Sequence, residues 1–267
     1  RDILAAVFLF AFFLSLLLVY IGSGTWFVDE NDNFLGAMVV ARGGDIYKDF
    51  CSQHMPVMYY LCAVFYLLGA RTVIWYRVYF AVFSAVLWTA MYFRYNKAFG
   101  KTTMLLGPVL YAAAIGTGDL TYQSILSDKL QTYGMVILFL EFLWLYQEPD
   151  RHLSMHSCCW ISFAIFISFG SAFVSIFGVF AVAVGVLVVE WQRWRRSKRL
   201  LGAEIIHLLD DYGKLIIIVA APFALLLLWY ACTGNLRNFY HGAYLLNTRI
   251  YSKYTGGYGT SVVSAML

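Results

Sequence analysis

The sequence predicts an all-α membrane protein, a polytopic bundle of transmembrane helices. Apolar residues make up 61% of the 267 residues and charged residues only 13%. An ordinary globular domain carries roughly 25% charged residues. The mean hydropathy is +0.70, and the apolar residues are grouped in long runs, as in helices that cross a bilayer. Composition therefore favours a membrane protein over a soluble globular one.

Seven apolar runs are interpreted as spans, because a hydrocarbon core about 30 Å thick needs roughly 20 helical residues. They cover residues 3–22, 72–93, 103–117, 126–146, 158–171, 172–190 and 215–232. The first run is longer than the apolar part of a signal peptide and has no small-residue cleavage site after it. We therefore expect it to remain in the protein as a transmembrane helix.

The apolar run at residues 56–69, PVMYYLCAVFYLLG, is too short to cross and is expected to lie at the interface. This choice determines the orientation of every later span. The basic segments 94–101 (RYNKAFGK) and 191–199 (WQRWRRSKR) then face the cytoplasm, as the positive-inside rule requires. Residues 23–71 form an outer loop with interfacial helices, and residues 233–261 also lie outside.

Residues 1–267 are interpreted as a single membrane module. The sequence starts without Met and stops at SVVSAML, which resembles the start of another apolar segment, so we expect a C-terminal truncation. The net charge of +4 is small, and nucleic acid is not an expected partner. The five cysteines show no CxxC spacing and are expected to be buried free thiols.

The first outer loop opens with a concentration of carboxylates. Asp29, Glu30 and Asp32 lie within four positions, ahead of NFLGAMVVAR, whose apolar residues recur at helical spacing. One interpretation is structural: Asp29 caps an interfacial helix, and Asp32 offsets the helix dipole in its first turn. Because capping requires only one carboxylate, the group also indicates a site at the membrane surface.

The same loop continues with DIYKDFCSQHMP, in which Asp45 and Asp49 are expected to shape or solvate the chain. His54 has two interpretations. It is an interfacial histidine hydrogen-bonded to a backbone carbonyl, or it joins a carboxylate in metal binding or acid–base chemistry. No second closely spaced ligand, such as an HxxxH pair, accompanies it.

Two acidic residues lie within one predicted span. Asp128 is at its outer start, where the helix dipole and water lower the cost of a charge, so helix capping is one interpretation. Glu141 lies within two turns of the cytoplasmic end and is expected to extend its carboxylate into the interface.

Several of these features occur in one order along the chain. A DE pair follows the first span, then come an interfacial helix, the motifs GDIYKDF, HMP and YYLCAVFYLLG, and an Arg in WYRVYF. In this order they resemble the lipid-linked sugar transferases of the GT-C fold, in particular the protein mannosyltransferase and aminoarabinose transferase branch. The resemblance covers most of the chain in the order of spans and the lengths of loops.

The resemblance implies roles for individual residues. Asp29 matches the general base that deprotonates the acceptor, with Glu30 beside it. Asp128 matches a second acidic residue that faces the outer cavity, a role for which Asp119 competes. Arg77 matches an arginine expected near the donor phosphate.

The resemblance also bears on a metal ion. His54 stands where relatives often have a carboxylate that can bind metal, so a divalent metal ion is an implied cofactor. Residues 55–57 read Met-Pro-Val, whereas Lys-Pro-Pro is frequent in the family. The chain therefore departs from the family at the segment that would contact the metal or the lipid phosphate.

The chemistry of such a transfer agrees with these residue types. Displacement of a polyprenyl phosphate from an anomeric carbon passes through a cation-like sugar, which needs a carboxylate on one side and positive charge on the leaving phosphate. Arginine suits phosphate because of its planar fork. The outer segments supply Arg77, Arg237, Arg249 and Lys253, each of which has lipid-headgroup anchoring as its alternative.

The sequence thus predicts a glycosyltransferase that moves a sugar, with inversion, from a polyprenyl-phosphate donor to an acceptor hydroxyl on the non-cytoplasmic face. Its partners would be the lipid-linked donor, a glycan, lipid or protein acceptor, and membrane lipids. A bacterial inner membrane is favoured over the endoplasmic reticulum. The alternatives are a transporter or channel, in which ionisable residues usually lie near the midplane, and a non-catalytic assembly subunit.

Overall fold

The computed structural model describes the backbone of residues 2–21, 28–116, 127–148, 153–196 and 201–251. These residues are helical apart from their connections and one isolated bridge between Ile46 and Phe50, which confirms the predicted all-α class. The helices are α1 (Asp2–Ile21), α2 (Val28–Ala41), α3 (Val57–Leu67), α4 (Val73–Phe99), α5 (Lys101–Gly116), α6 (Ser127–Gln147), α7 (Met155–Phe169), α8 (Ser175–Arg196), α9 (Leu201–Cys232) and α10 (Leu236–Phe239), followed by a π-helical segment (Tyr240–Tyr251).

Helices α1 and α4 to α9 overlap the apolar runs that were interpreted as spans, although α9 begins 14 residues before its run. Within the described ranges, three stretches are long and apolar enough to cross a membrane: Val73–Phe99, Ser175–Arg195 and Leu209–Cys232. Large apolar side chains of α8 and α9 are exposed, among them Phe177, Phe180, Leu187, Ile216, Ile217 and Leu225. Such contiguous apolar faces suit contact with lipid.

One end of the bundle, called here the basic end, carries Arg94, Lys101 and Arg193. Lys101 at the start of α5 pairs with Asp2 at the start of α1. Arg193 near the end of α8 donates to the carbonyl of Leu145 near the end of α6, at 2.9 Å. These contacts fix the relative directions of four helices, and they bring two predicted cytoplasmic segments to the same end.

At the same end, Arg94 joins α4 to α6 and α7. Its Nε donates to Glu141 Oε1 at 2.9 Å, and its Nη2 donates to Ser157 Oγ at 2.7 Å. The Tyr95 hydroxyl also donates to Glu141, at 3.0 Å. The expectation that Glu141 extends into the interface is wrong, because this carboxylate is 4% exposed and paired with a buried arginine.

The opposite end, called here the acidic end, carries Glu30 and Asp32 of α2 and Asp49 of the loop that follows. Helix α3 stays at this end: the Val57 N–H donates to the Gly170 carbonyl at the end of α7, and Tyr79 near the start of α4 donates to the Leu68 carbonyl, each at 2.8 Å. The short apolar run therefore begins and ends on one side of the bundle.

Small residues let α6 and α7 approach closely. A Cβ added to Gly134 would collide with Ser168 Oγ and the Ala164 carbonyl of α7. In the same contact, Ser168 Oγ donates to the Gln131 carbonyl at 2.9 Å. Close backbone approach at small residues, with side-chain hydrogen bonds across the contact, is a common way for helices to pack in membranes.

The positions of the two ends lead to a labelling prediction. Cys51 lies at the acidic end and Lys101 at the basic end, and both side chains are exposed. In a cysteine-free background, a variant that keeps only Cys51 and a variant with only Lys101→Cys should react with a membrane-impermeant maleimide from opposite sides. Reaction of both from the same side of intact vesicles would contradict this arrangement.

Candidate functional site

Helix α2 begins with the acidic segment that the sequence identifies. Asp29 lies in the first turn of α2, and its side chain is outside the described part of the structure. Its role as general base therefore stays a prediction. The next residue, Glu30, is 1% exposed. A carboxylate so deeply buried needs a charged partner, because desolvating a lone ion costs several kcal/mol or more.

Arg77 of α4 is that partner. Its Nε donates to Glu30 Oε1 at 2.9 Å and its Nη2 donates to Oε2 at 2.7 Å, so the pair is bidentate. Arg77 itself is 6% exposed. Two of its nitrogens therefore serve a carboxylate of the protein. The donor-phosphate role suggested for Arg77 stays a prediction, and the structure adds a positioning role, since the pair fixes α2 on α4.

Lys129, in the first turn of α6, joins this cluster. It lies close enough to Glu30 and Arg77 for both charges to influence its ammonium group. Its neighbour Asp128 has an exposed side chain, and the Asp128 carbonyl accepts a hydrogen bond from Thr132 Oγ1 at 2.8 Å. The two predicted acidic positions, Asp29 and Asp128, thus each adjoin a residue of the Glu30, Arg77 and Lys129 cluster.

Asp32, near the start of α2, also bonds a side chain of another helix. Its Oδ2 accepts a hydrogen bond from the Tyr59 hydroxyl of α3. The Tyr59 oxygen lies 2.5 Å from Ser52 Oγ, and Ser52 Oγ accepts the His54 N–H at 3.0 Å. Burial first, and the bond to Asp32 second, raise the pKa of Tyr59 far above its usual value, so this hydroxyl stays protonated.

The loop between α2 and α3 is held by its own polar groups. Asp49 Oδ2 accepts the Asp45 N–H at 2.8 Å, so these two residues shape the loop as the sequence predicts. Tyr47 adopts a φ of 76°, and its hydroxyl donates to the His54 carbonyl at 2.6 Å. A residue with a side chain rarely adopts such a positive φ, and it persists only where neighbouring contacts fix it.

His54 was the candidate metal ligand. Among the side chains that the structure describes, no group of three or more His, Cys, Asp or Glu residues is arranged to hold a metal ion. The metal-binding role stays a prediction, and the mechanism proposed below does not use it.

A pocket of about 400 Å³ lies between this loop and the π-helical segment. Its lining residues are Tyr47, Cys51, Ser52, Asn238, His241, Gly242, Leu245, Leu246 and Arg249. Asn247 Nδ2 donates to the Gln53 carbonyl at 2.6 Å and joins the two walls. Gly242 is required for their close approach, since a Cβ there would collide with the Tyr47 ring and the Ser52 carbonyl.

The structure brings one predicted phosphate ligand, Arg249, into the pocket wall. Arg237 is not among the lining residues, and Asp119 and Lys253 lie outside the described ranges. Sequence reasoning missed Ser52 and Tyr59, which carry no charge and resemble ordinary loop and core residues. Their one sequence signal is that they lie seven positions apart, on either side of His54 and Pro56. Such a spacing is weak evidence for a site.

Comparisons of the chain with models of known protein families, with curated protein sequences and with solved structures find no match. The resemblance to the GT-C transferases therefore stays a prediction from the motifs.

The packing at Gly242 gives a stability prediction. Gly242→Val should push the π-helical segment away from the loop and lower the stability by about 1–3 kcal/mol, the usual cost of overpacking. Gly213→Ala is the matched control, because a Cβ at Gly213 meets no atom within 4 Å, and alanine favours a helix by about 1 kcal/mol. The melting points of both variants are measured in detergent. Equal melting points for the two would contradict the assigned contact.

Proposed function

We propose that this protein is a membrane glycosyltransferase. It takes a sugar from a polyprenyl-phosphate donor and transfers it, with inversion, to an acceptor hydroxyl on the non-cytoplasmic face. The observation that supports the proposal best is that carboxylates, arginines and an open pocket occur together at one end of the bundle. That end is opposite the one with Arg94, Lys101 and Arg193.

The chemistry needs one carboxylate and one cation on opposite sides of the reacting carbon. In the proposal, Asp29 takes the proton from the acceptor hydroxyl, whose oxygen attacks the anomeric carbon. The bond from that carbon to the phosphate oxygen breaks, and its electron pair stays on the phosphate. Arg249, in the pocket wall, stabilises the leaving phosphate through its planar guanidinium group.

The buried pair would support this chemistry indirectly. Glu30 and Arg77 neutralise each other, so α2 can be fixed against α4 without leaving a lone charge in an apolar environment. Asp29, one residue earlier, then lies in the first turn of the same helix. A base at the start of a helix held in this way would vary little in position, as catalysis by proton transfer requires.

The proposed membrane arrangement has seven spans, α1 and α4 to α9, with α2 and α3 at the outer interface. The acidic end would face the periplasm of a bacterial inner membrane, where polyprenyl-linked donors present their sugars. The basic residues at the other end agree with the positive-inside rule. A lipid-linked donor could then reach the acidic end from the bilayer while the acceptor arrives from water.

The direct experiment is a transfer assay with the purified full-length protein and a panel of polyprenyl-phosphate sugars. Asp29→Asn should lower kcat about 10²- to 10⁴-fold, the usual contribution of a positioned general base. Asp210→Asn is the matched control and should retain full activity, because Asp210 is an exposed residue of α9 that pairs with the exposed Lys214.

The possible outcomes separate the function classes. Undiminished transfer by a folded Asp29→Asn variant would contradict the general-base assignment and leave the glycosyltransferase proposal in place. Failure of the wild type to transfer from any donor would contradict the proposal itself. A transporter or a non-catalytic assembly subunit would then be the better interpretation.

A further inference from the structure

The pocket wall contains one hydroxyl whose hydrogen-bonding capacity can be counted completely. Ser52 lines the pocket and is otherwise buried, with 4% of its surface exposed. A serine hydroxyl has one hydrogen to donate and two lone pairs to accept with. The Ser52 oxygen already accepts the His54 N–H at 3.0 Å, which uses one lone pair.

The direction of the remaining bonds follows from Asp32. The Tyr59 hydroxyl donates its single hydrogen to Asp32 Oδ2. The short contact of 2.5 Å between Tyr59 and Ser52 must then be a bond from Ser52 to the Tyr59 oxygen. Ser52 is left with one lone pair and no hydrogen, and it is one of the residues that line the pocket.

We propose that Asp32 and Tyr59 fix Ser52 as a hydrogen-bond acceptor for a ligand hydroxyl in this pocket. Ser52 contacts the ligand, whereas Tyr59 and Asp32 are positioning residues that turn the serine hydrogen away from it. A buried polar group set in this way discriminates strongly, since a ligand without a hydrogen to donate leaves the lone pair unpaired.

The opposite wall identifies the rest of the ligand. His241 and Arg249 lie on the π-helical segment and line the same pocket. An arginine and an imidazole that line the same pocket suit an anion such as a phosphate. A π-helix is rare and frequently marks a functional site. The pocket therefore fits a hydroxyl-bearing group attached to a phosphate, which is a sugar phosphate if the proposed function, on which this step rests, is correct.

Cys51 allows binding to be measured without turnover. It is exposed and lines the pocket, so a bound ligand should shield its thiol from a maleimide. The other exposed cysteines, Cys159 and Cys232, are replaced by serine in the background used for labelling. The probes are glucose, mannose and galactose 1-phosphates, with inorganic phosphate and the free hexoses as controls.

We expect at least one hexose 1-phosphate to slow the labelling of Cys51 at a lower concentration than phosphate or the free hexose. Ser52→Ala and Tyr59→Phe should each raise the concentration for half-protection about 3- to 10-fold, which corresponds to one hydrogen bond. Arg249→Ala should raise it as well, and Arg237→Ala, outside the pocket, should not.

Two substitutions at Asp32 distinguish a changed orientation of the Ser52 hydroxyl from a general loss of folding. Asp32→Asn retains an oxygen that accepts the Tyr59 hydrogen. The ligand concentration for half-protection of Cys51 should therefore change by less than about 3-fold. Asp32→Leu removes that acceptor, lets Tyr59 donate to Ser52 instead, and turns the serine hydrogen into the pocket. We expect the Leu variant to bind as weakly as Ser52→Ala while its melting point shows that it remains folded.

The outcomes distinguish this inference from the proposed function. Protection of the wild type that is unchanged in Ser52→Ala and Asp32→Leu would overturn the role of Ser52 and leave the function standing. An equal loss of ligand binding in Asp32→Asn and Asp32→Leu would overturn the positioning role of Asp32. If no probe protects Cys51, the pocket is not a sugar-phosphate site, and the transfer assay judges the function separately.

Discussion

The buried ion pair between Glu30 and Arg77 is the interaction on which the acidic end depends. Both side chains are almost fully buried, and the pairing is bidentate. Each charge in this apolar bundle is stabilised by the other, and removal of one would take away the bidentate partner of a buried ion. The pair therefore fixes α2 on α4, and with it the position of the acidic segment.

Polar contacts extend this arrangement from α2 to the pocket. Asp32, two residues after Glu30, holds Tyr59 of α3, and Tyr59 holds Ser52 in the pocket wall. The other wall is fixed by Asn247, which reaches across to the loop. The helix that would carry the base and the surface that would bind the ligand are thus joined by hydrogen bonds, which limits their relative motion.

The sequence predicted the helices well because their signal is local. Apolar runs mark α1 and α4 to α9, of which three helices among the described residues are long and apolar enough to cross a membrane. The motif around Arg77 marks the entrance to α4. The partner of Arg77 and the burial of Glu141 were not predicted, since each pair joins residues 47 positions apart. Ser52 and Tyr59 were not predicted, because neutral residues form a binding site only when the fold brings suitable groups next to them.

A double-mutant cycle on Glu30 and Arg77 tests the central claim most directly. The free energy of unfolding in detergent is measured for the wild type, Glu30→Gln, Arg77→Met and the double variant. We predict a loss of about 3–5 kcal/mol for each single variant and a loss in the double variant well below their sum, because the second substitution removes the charge that has lost its bidentate partner. Additive losses, or single variants as stable as the wild type, would contradict the account.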